Sequence, residues 1–206
     1  MTKIKLLIIA FLMLSLSLQA IGKDALYKKL WDAYGSISSF QAAVKQDNYF
    51  AQIKKTISYN GNIYSTKGRM VIRFEKPNFQ RLMISGGMVD LYDSSSKTVF
   101  RSRMQPEFGK MNPVEILQHY WKKSSVIVSA EEGNISQVKL KPISDPVIVE
   151  LTAKINHKSG LVESLGYTDA NGNRVSYSFS GIKTNAKIPD SVWNYTYPKN
   201  VQVVQQ

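Results

Sequence analysis

The sequence predicts a mainly β protein with short α-helices, built around a curved antiparallel sheet of about eleven strands. Segments in which apolar and polar residues alternate recur along the chain, separated by short turns that contain glycine, proline or asparagine. One short helical pattern precedes these segments and a second one interrupts them. This arrangement is compatible with a closed barrel and with an open, strongly curved sheet wrapped over helices.

Residues 1–20 have the pattern of a secretory signal peptide. Two lysines precede the apolar run Leu6–Leu18, whose 13 residues are too few to span a bilayer comfortably. Cleavage is predicted after Ala20 or, with a slightly better pattern of small residues, after Gly22. An uncleaved membrane anchor is the alternative. The remainder, 21–206, is predicted to be one domain because no linker or internal repeat divides it.

Charge and cysteine content limit the classes of function. The chain has no cysteine, so it cannot be an acylated lipoprotein itself and cannot form a disulfide. Its net charge of +12 includes two lysines and no acid from residues 1–20, which leaves +10 on the rest. The lysines are dispersed and the chain is predicted to be exported, so nucleic acid is not an expected partner. Solvated strand faces, anionic lipid headgroups and an acidic partner remain as explanations.

The first elements are predicted from capping and alternation. Asp24 is a candidate N-cap for a helix that runs to about Tyr34 and ends at Gly35. Alternating residues from Phe40 onward then begin the sheet. Within the following strands, Asn60-Gly61 has the sequence of a hairpin turn.

The central stretch, residues 68–93, predicts three consecutive antiparallel strands. Its apolar residues alternate with mostly charged ones, and Lys76-Pro77-Asn78 provides the first turn. An odd-length loop keeps the apolar side chains on one face and places Phe74 opposite Gln80, Ile72 opposite Leu82 and Met70 opposite Ile84. The predicted apolar face consists of Met70, Ile72, Phe74, Leu82, Ile84, Val89 and Leu91. Taken alone, these residues also fit the core of any small barrel.

A second helix has clear sequence punctuation. Asn112 is the predicted N-cap, Pro113 occupies the first helical position and Glu115 completes a capping box. The apolar side of this helix comprises Val114, Ile116, Leu117, Tyr120 and Trp121. The rest of the chain predicts an antiparallel meander whose last strand is Val192–Tyr197, followed by a polar tail.

Several of these segments together resemble the periplasmic lipoprotein carrier family, LolA. The resemblance rests on Phe40–Gln46, on Lys76-Pro77-Asn78-Phe79 and on Gly86–Asp93, and it continues to the C-terminal Pro198–Val201. It implies an open half-barrel covered by a helical lid, with the second helix as one lid segment. It also implies that the apolar face is an acyl-chain cavity. The family's lid is latched by an arginine that precedes the turn proline, and the matching residue here is Lys76, which lacks arginine's fixed fork of donors.

The resemblance further implies a function without catalysis or cofactor. The protein would be a soluble, monomeric periplasmic chaperone for acylated lipoproteins. Its partners would be an inner-membrane ATP-driven lipoprotein release complex and an outer-membrane lipoprotein acceptor. Two alternatives stay open: a related carrier of another lipid or glycolipid, and a membrane-tethered sensor. The long segment Asp47–Lys67 and the lysine at position 76 leave room for the related carrier, and an uncleaved N-terminal segment would favour the sensor.

Enzyme signals in the sequence are weak. His119 and His157 are the two histidines, and no carboxylate spacing around them predicts a zinc site. No nucleophile elbow, phosphate-binding loop or dinucleotide fingerprint is present. Asp169–Asn173 lacks the ligand schedule of a calcium loop and predicts a β-turn. We therefore expect neither a metal nor a catalytic site.

Overall fold

The computed structural model describes residues 21–104, 113–130 and 133–205. The predicted signal peptide and the Asn112 cap lie outside these residues. The helices are α1 (Lys23–Gly35), α2 (Pro113–Trp121) and α3 (Asp190–Trp193). The first six strands are β1 (Ser39–Phe50), β2 (Lys55–Thr66), β3 (Arg69–Lys76), β4 (Gln80–Ser85), β5 (Met88–Asp93) and β6 (Thr98–Arg103). The others are β7 (Ser124–Ala130), β8 (Ile135–Pro142), β9 (Ile148–Asn156), β10 (Val162–Asp169), β11 (Arg174–Thr184) and β12 (Gln202–Gln205).

All twelve described strands belong to one open sheet, in the order β12-β6-β5-β4-β3-β2-β1-β11-β10-β9-β8-β7. Two antiparallel meanders, β1 to β6 and β7 to β11, meet where β1 pairs with β11. The sheet does not close, because β12 and β7 are its two edges. The prediction of an open, mainly antiparallel half-barrel is confirmed, with one parallel pair, β12 with β6, that the sequence did not indicate.

The register predicted for the central stretch is confirmed. Ile72 pairs with Leu82 and Met70 with Ile84, and both pairs continue onto β5 through Leu91 and Val89. Because side chains alternate across a strand, this register keeps the apolar residues on one face of three neighbouring strands.

The predicted hairpin at Asn60-Gly61 is wrong, because β2 runs straight through both residues. β2 pairs with β1 along its whole length, and a register shift against β3 falls between Asn60 and Gly61. A Cβ atom at Gly61 would lie 1.9 Å from the carbonyl oxygen of Arg73. The glycine therefore permits a close approach of two backbones inside the sheet rather than a turn.

The predicted last strand, Val192–Tyr197, is also wrong. Its first two residues belong to α3, and Trp193 packs with Val71 and Ile188 on the outer face of the sheet. The guanidinium of Arg81 donates to the carbonyl oxygens of Val192 (3.0 Å) and Trp193 (3.3 Å). These contacts hold the segment across the sheet face, and the strand forms later, as β12.

On the inner face, α1 packs into the main core through Leu26 and Leu30, which are fully buried. Asp24 is not the N-cap as predicted, since the cap is Gly22 and makes no side-chain hydrogen bond. Asp24 instead lies in the first turn, where a carboxylate is favoured by the helix dipole. The Tyr34 hydroxyl accepts a hydrogen bond from the Val162 amide at 3.2 Å, which joins α1 to β10.

Candidate functional site

A cavity of about 810 Å³ lies between α1, α2 and the end of the sheet formed by the β2–β3 turn. One wall consists of side chains from α1 and the segment that follows it. A second wall comes from α2 and the two residues after it. The floor is the concave face of β1, β3 and β4. The cavity therefore sits where the two described inner-face helices meet the half-barrel.

The α1 wall is aromatic. Tyr27, Trp31 and Tyr34 lie three or four residues apart, so they form one stripe on the helix, and all three line the cavity. The rings of Tyr27 and Trp31 are 6.1 Å apart. Trp31 is 54% exposed, although it is large and apolar. In the sequence, these aromatic residues stand beside the buried leucines of the same helix. That spacing predicts a broad apolar helix face, but it does not predict a cavity wall.

The α2 wall is polar and basic. Glu115, Gln118, His119, Lys122 and Lys123 line the cavity. The Lys123 ammonium donates to Nε2 of His119 at 3.1 Å, and the Lys122 ammonium lies 5.8 Å from the centre of the Tyr27 ring. The cavity thus has one apolar wall facing one cationic wall.

The apolar side of α2 points away from this wall, into the core. Val114, Leu117 and Trp121 are buried there, and Ile116 and Tyr120 pack against the same cluster. The helix thus lies with its apolar side against the sheet and its polar side toward the cavity.

Only part of the predicted apolar face reaches the cavity. Met70 and Ile84 line the cavity and also belong to the buried core cluster. Ile72 and Phe74 are buried within the core cluster, while Leu82 and Val89 pack at its margin. Leu91 is half-buried beside Leu82 on β5.

Besides this apolar packing, a side-chain hydrogen bond joins α2 to the β8–β9 loop. The Tyr120 hydroxyl donates to Oδ2 of Asp145 in the β8–β9 loop at 2.6 Å, and Oδ1 of Asp145 accepts from the amides of Val147 and Ile148. The Tyr120 hydrogen bond, with these amides, holds the pKa of Asp145 below its usual value. Burial, together with the hydrogen bond to Asp145, raises the pKa of Tyr120. Sequence reasoning missed this pair, because no spacing rule relates positions 120 and 145.

Lys76, the predicted latch, is exposed at the end of β3. Within the described residues its side chain has no hydrogen bond or ion pair. Arg81, which pairs with Arg73 on the neighbouring strand, faces outward and is only 4% exposed, because the segment containing Val192 and Trp193 covers it. Arg81 is therefore a structural contact of the outer face and is not part of the cavity.

Among the described residues, no group of three or more metal-ligating side chains comes together, and no helix is long and apolar enough to cross a membrane. An open half-barrel with helices over its concave face and a cavity beneath them has the concave form that is typical of ligand-binding sites. The comparison with known families is specific. The family model for "Outer membrane lipoprotein carrier protein LolA" matches residues 35–196, and the chain belongs to this family.

Relatives of known name agree with this membership. The outer-membrane lipoprotein carrier protein of Ralstonia nicotianae is 30% identical over 146 residues, which are 69% of this chain and 67% of that protein. The protein of the same name from Neisseria meningitidis is 28% identical over 192 residues, covering 91% and 89%. The protein of the same name from Pseudomonas putida is 22% identical over 209 residues, which are 96% of this chain and 99% of that protein.

Solved structures share the fold. An uncharacterised conserved protein from Thermus thermophilus superposes with a TM-score of 0.58 at 12% identity, covering 89% of this chain and 98% of that one. The crystal structure of MucB gives a TM-score of 0.55 at 12% identity, covering 89% and 66%. At these identities the likeness concerns the fold alone.

Proposed function

We propose that this protein is a periplasmic chaperone that binds the acyl chains of lipoproteins released from the inner membrane and delivers them to an outer-membrane acceptor. The observation that carries the proposal is the cavity of about 810 Å³ beneath α1 and α2 in a member of the lipoprotein carrier family. Its volume falls within the range of roughly 300–1,000 Å³ that is typical of ligand sites.

The physical need for such a cavity follows from the cargo. Exposing one methylene group to water costs about 0.8 kcal/mol, so a chain of roughly 16 carbons costs on the order of 12 kcal/mol. A lipoprotein therefore cannot cross an aqueous compartment unless its chains are covered. The aromatic wall of α1 and Met70 and Met104, which also line the cavity, supply apolar contacts without a rigid shape, since methionine side chains adapt easily.

The proposal includes partners and a latch. An inner-membrane ATP-driven release complex would load the protein, and an outer-membrane acceptor would unload it. Lys76 would hold the helical lid by hydrogen bonds to its backbone carbonyls. Lys76→Ala should then speed the release of a bound acyl probe, whereas an unchanged release rate would remove Lys76 from the proposal.

The proposal is tested by native mass spectrometry of the protein purified from the periplasm, with bound triacylated lipoprotein as the expected finding. A paired set of variants locates the site. Trp31→Glu places a carboxylate on the apolar wall and should weaken acyl binding more than about tenfold, because burying a charge against apolar groups costs several kcal/mol. Ile53→Glu, at a residue that is 67% exposed in the β1–β2 turn, is the control. Equal binding by both variants would contradict the cavity assignment.

A further inference from the structure

We propose that the cavity binds a membrane amphiphile whose headgroup is an anionic phosphate, with the acyl part against α1 and the phosphate against the basic residues beside it. This inference rests on the acyl cavity of the proposed function and goes beyond it, because the acylated cysteine of a lipoprotein carries no phosphate group. Its basis is the division of the cavity into an aromatic wall and a cationic wall.

The charge of the cavity is strongly one-sided. Among its described lining residues, Lys67, Arg69, Lys122 and Lys123 are cationic, and Glu115 is the carboxylate, so the formal net charge is +3 with His119 neutral. Arg69 lies over the Trp193 ring on the outer face, at 4.1 Å from its centre. The other three cations, all lysines, form no ion pair with a described residue. Three lysines that outnumber the one described carboxylate of the cavity lining, beside an apolar wall, favour an anion there.

The positions of the two lysines after α2 fit a headgroup site. Lys122 approaches the Tyr27 ring of the apolar wall, and Lys123 donates to His119 on the polar side of the same helix. An ammonium has three donors, so each can keep its present contact and still donate to a phosphate oxygen. Lys122 thus lies beside the apolar wall and Lys123 on the cationic wall, so a headgroup between the two walls would meet both.

A purely structural explanation covers part of this pattern. Cations near the end of a helix are favoured by its dipole, and this applies to Lys122 and Lys123. It does not apply to Lys67, which lies on the β2–β3 turn and reaches the same cavity from the sheet. The convergence of cations from two separate elements on one cavity is what points to a ligand.

The test compares two monomeric amphiphiles with the same chain, dodecyl phosphate and dodecylphosphocholine, by calorimetric titration at low salt. We expect dodecyl phosphate to bind more tightly, because its phosphate is attracted by the lysines. The preference should be only about five- to tenfold, because partly exposed ion pairs are individually weak. Lys122→Gln/Lys123→Gln should remove this preference. Lys158→Gln/Lys183→Gln, which removes the same charge at exposed sites outside the cavity, should retain it.

The outcomes separate the inference from the function on which it rests. Equal affinity for both amphiphiles would overturn the anionic headgroup and leave the acyl cavity standing. Failure of both to bind would overturn the acyl cavity itself. Loss of the preference in the control pair as well would indicate general attraction by the net charge, and inorganic phosphate binding as tightly as dodecyl phosphate would indicate a surface anion site. Either result would overturn the inference.

Discussion

The first prediction concerns the Tyr120–Asp145 hydrogen bond, which joins α2 to the β8–β9 loop. Tyr120→Phe removes only the hydroxyl, and the ring keeps its packing against the core. A hydrogen bond to a charged group contributes about 1.5–3 kcal/mol. Asp145 is near solvent and keeps its two backbone donors, so screening brings the contribution below this range, to about 1 kcal/mol. This free energy corresponds to about a fivefold increase in the population in which α2 is detached from the β8–β9 loop.

The assay is hydrogen exchange of the α2 amides measured by mass spectrometry, together with the release rate of a bound acyl probe. Both should increase about fivefold in Tyr120→Phe. Tyr59→Phe is the matched control, because Tyr59 also packs at the core margin and its hydroxyl has no hydrogen bond within the described residues. If α2 exchanges at the wild-type rate in Tyr120→Phe, or if the control opens equally, the hydrogen bond does not hold the helix.

Three further predictions concern stability, measured as the free energy of unfolding in urea. Leu30→Ala should cost about 2–5 kcal/mol, since Leu30 is fully buried. Arg81→Met should cost about 2–4 kcal/mol and make residues 188–197 sensitive to protease, because one buried and one partly buried carbonyl lose their donor. Unchanged proteolysis would contradict this role. Asp145 has a lowered folded pKa, so its contribution is complete above about pH 4 and is lost as the pH falls. Asp145→Asn should be less stable at pH 7, and its free energy of unfolding should fall less as the pH is lowered. If this free energy depends on acidic pH as in the wild type, Asp145 does not make this contribution.

The sheet was predictable where local pattern and global pairing agree. Between residues 68 and 93, alternation and the loop at Pro77 both favour the register that forms. Asn60-Gly61 is the opposite case, since its local turn signal is overridden by continuous pairing of β2 with β1. The residues around Gly61 do not indicate that the backbone of β3 needs the space that this glycine leaves. Propensity fails here because the decisive contacts are with the neighbouring strands and not within the two residues of the turn signal.

The site was only partly predictable, for a related reason. Met70 and Ile84 reach the cavity, but alternation alone cannot distinguish them from Ile72 and Phe74, which fill the core. That difference depends on where α1 and α2 lie over the sheet. A consequence for design follows: a glutamate at Ile72, which is 4% exposed, would test folding more than binding. Trp31, on α1, is the better probe.

The seam between β1 and β11 has a consequence for the order of folding. Val44 pairs there with Phe179, about 135 residues away, whereas Ile72 pairs with Leu82 within one hairpin. Closing the longer loop costs about 2 kcal/mol more in chain entropy. Each meander can therefore form early from local contacts, and their union is expected to be the slow step. Until β11 has paired with it, β1 presents a twelve-residue free edge, and such an edge can pair with another copy of the chain.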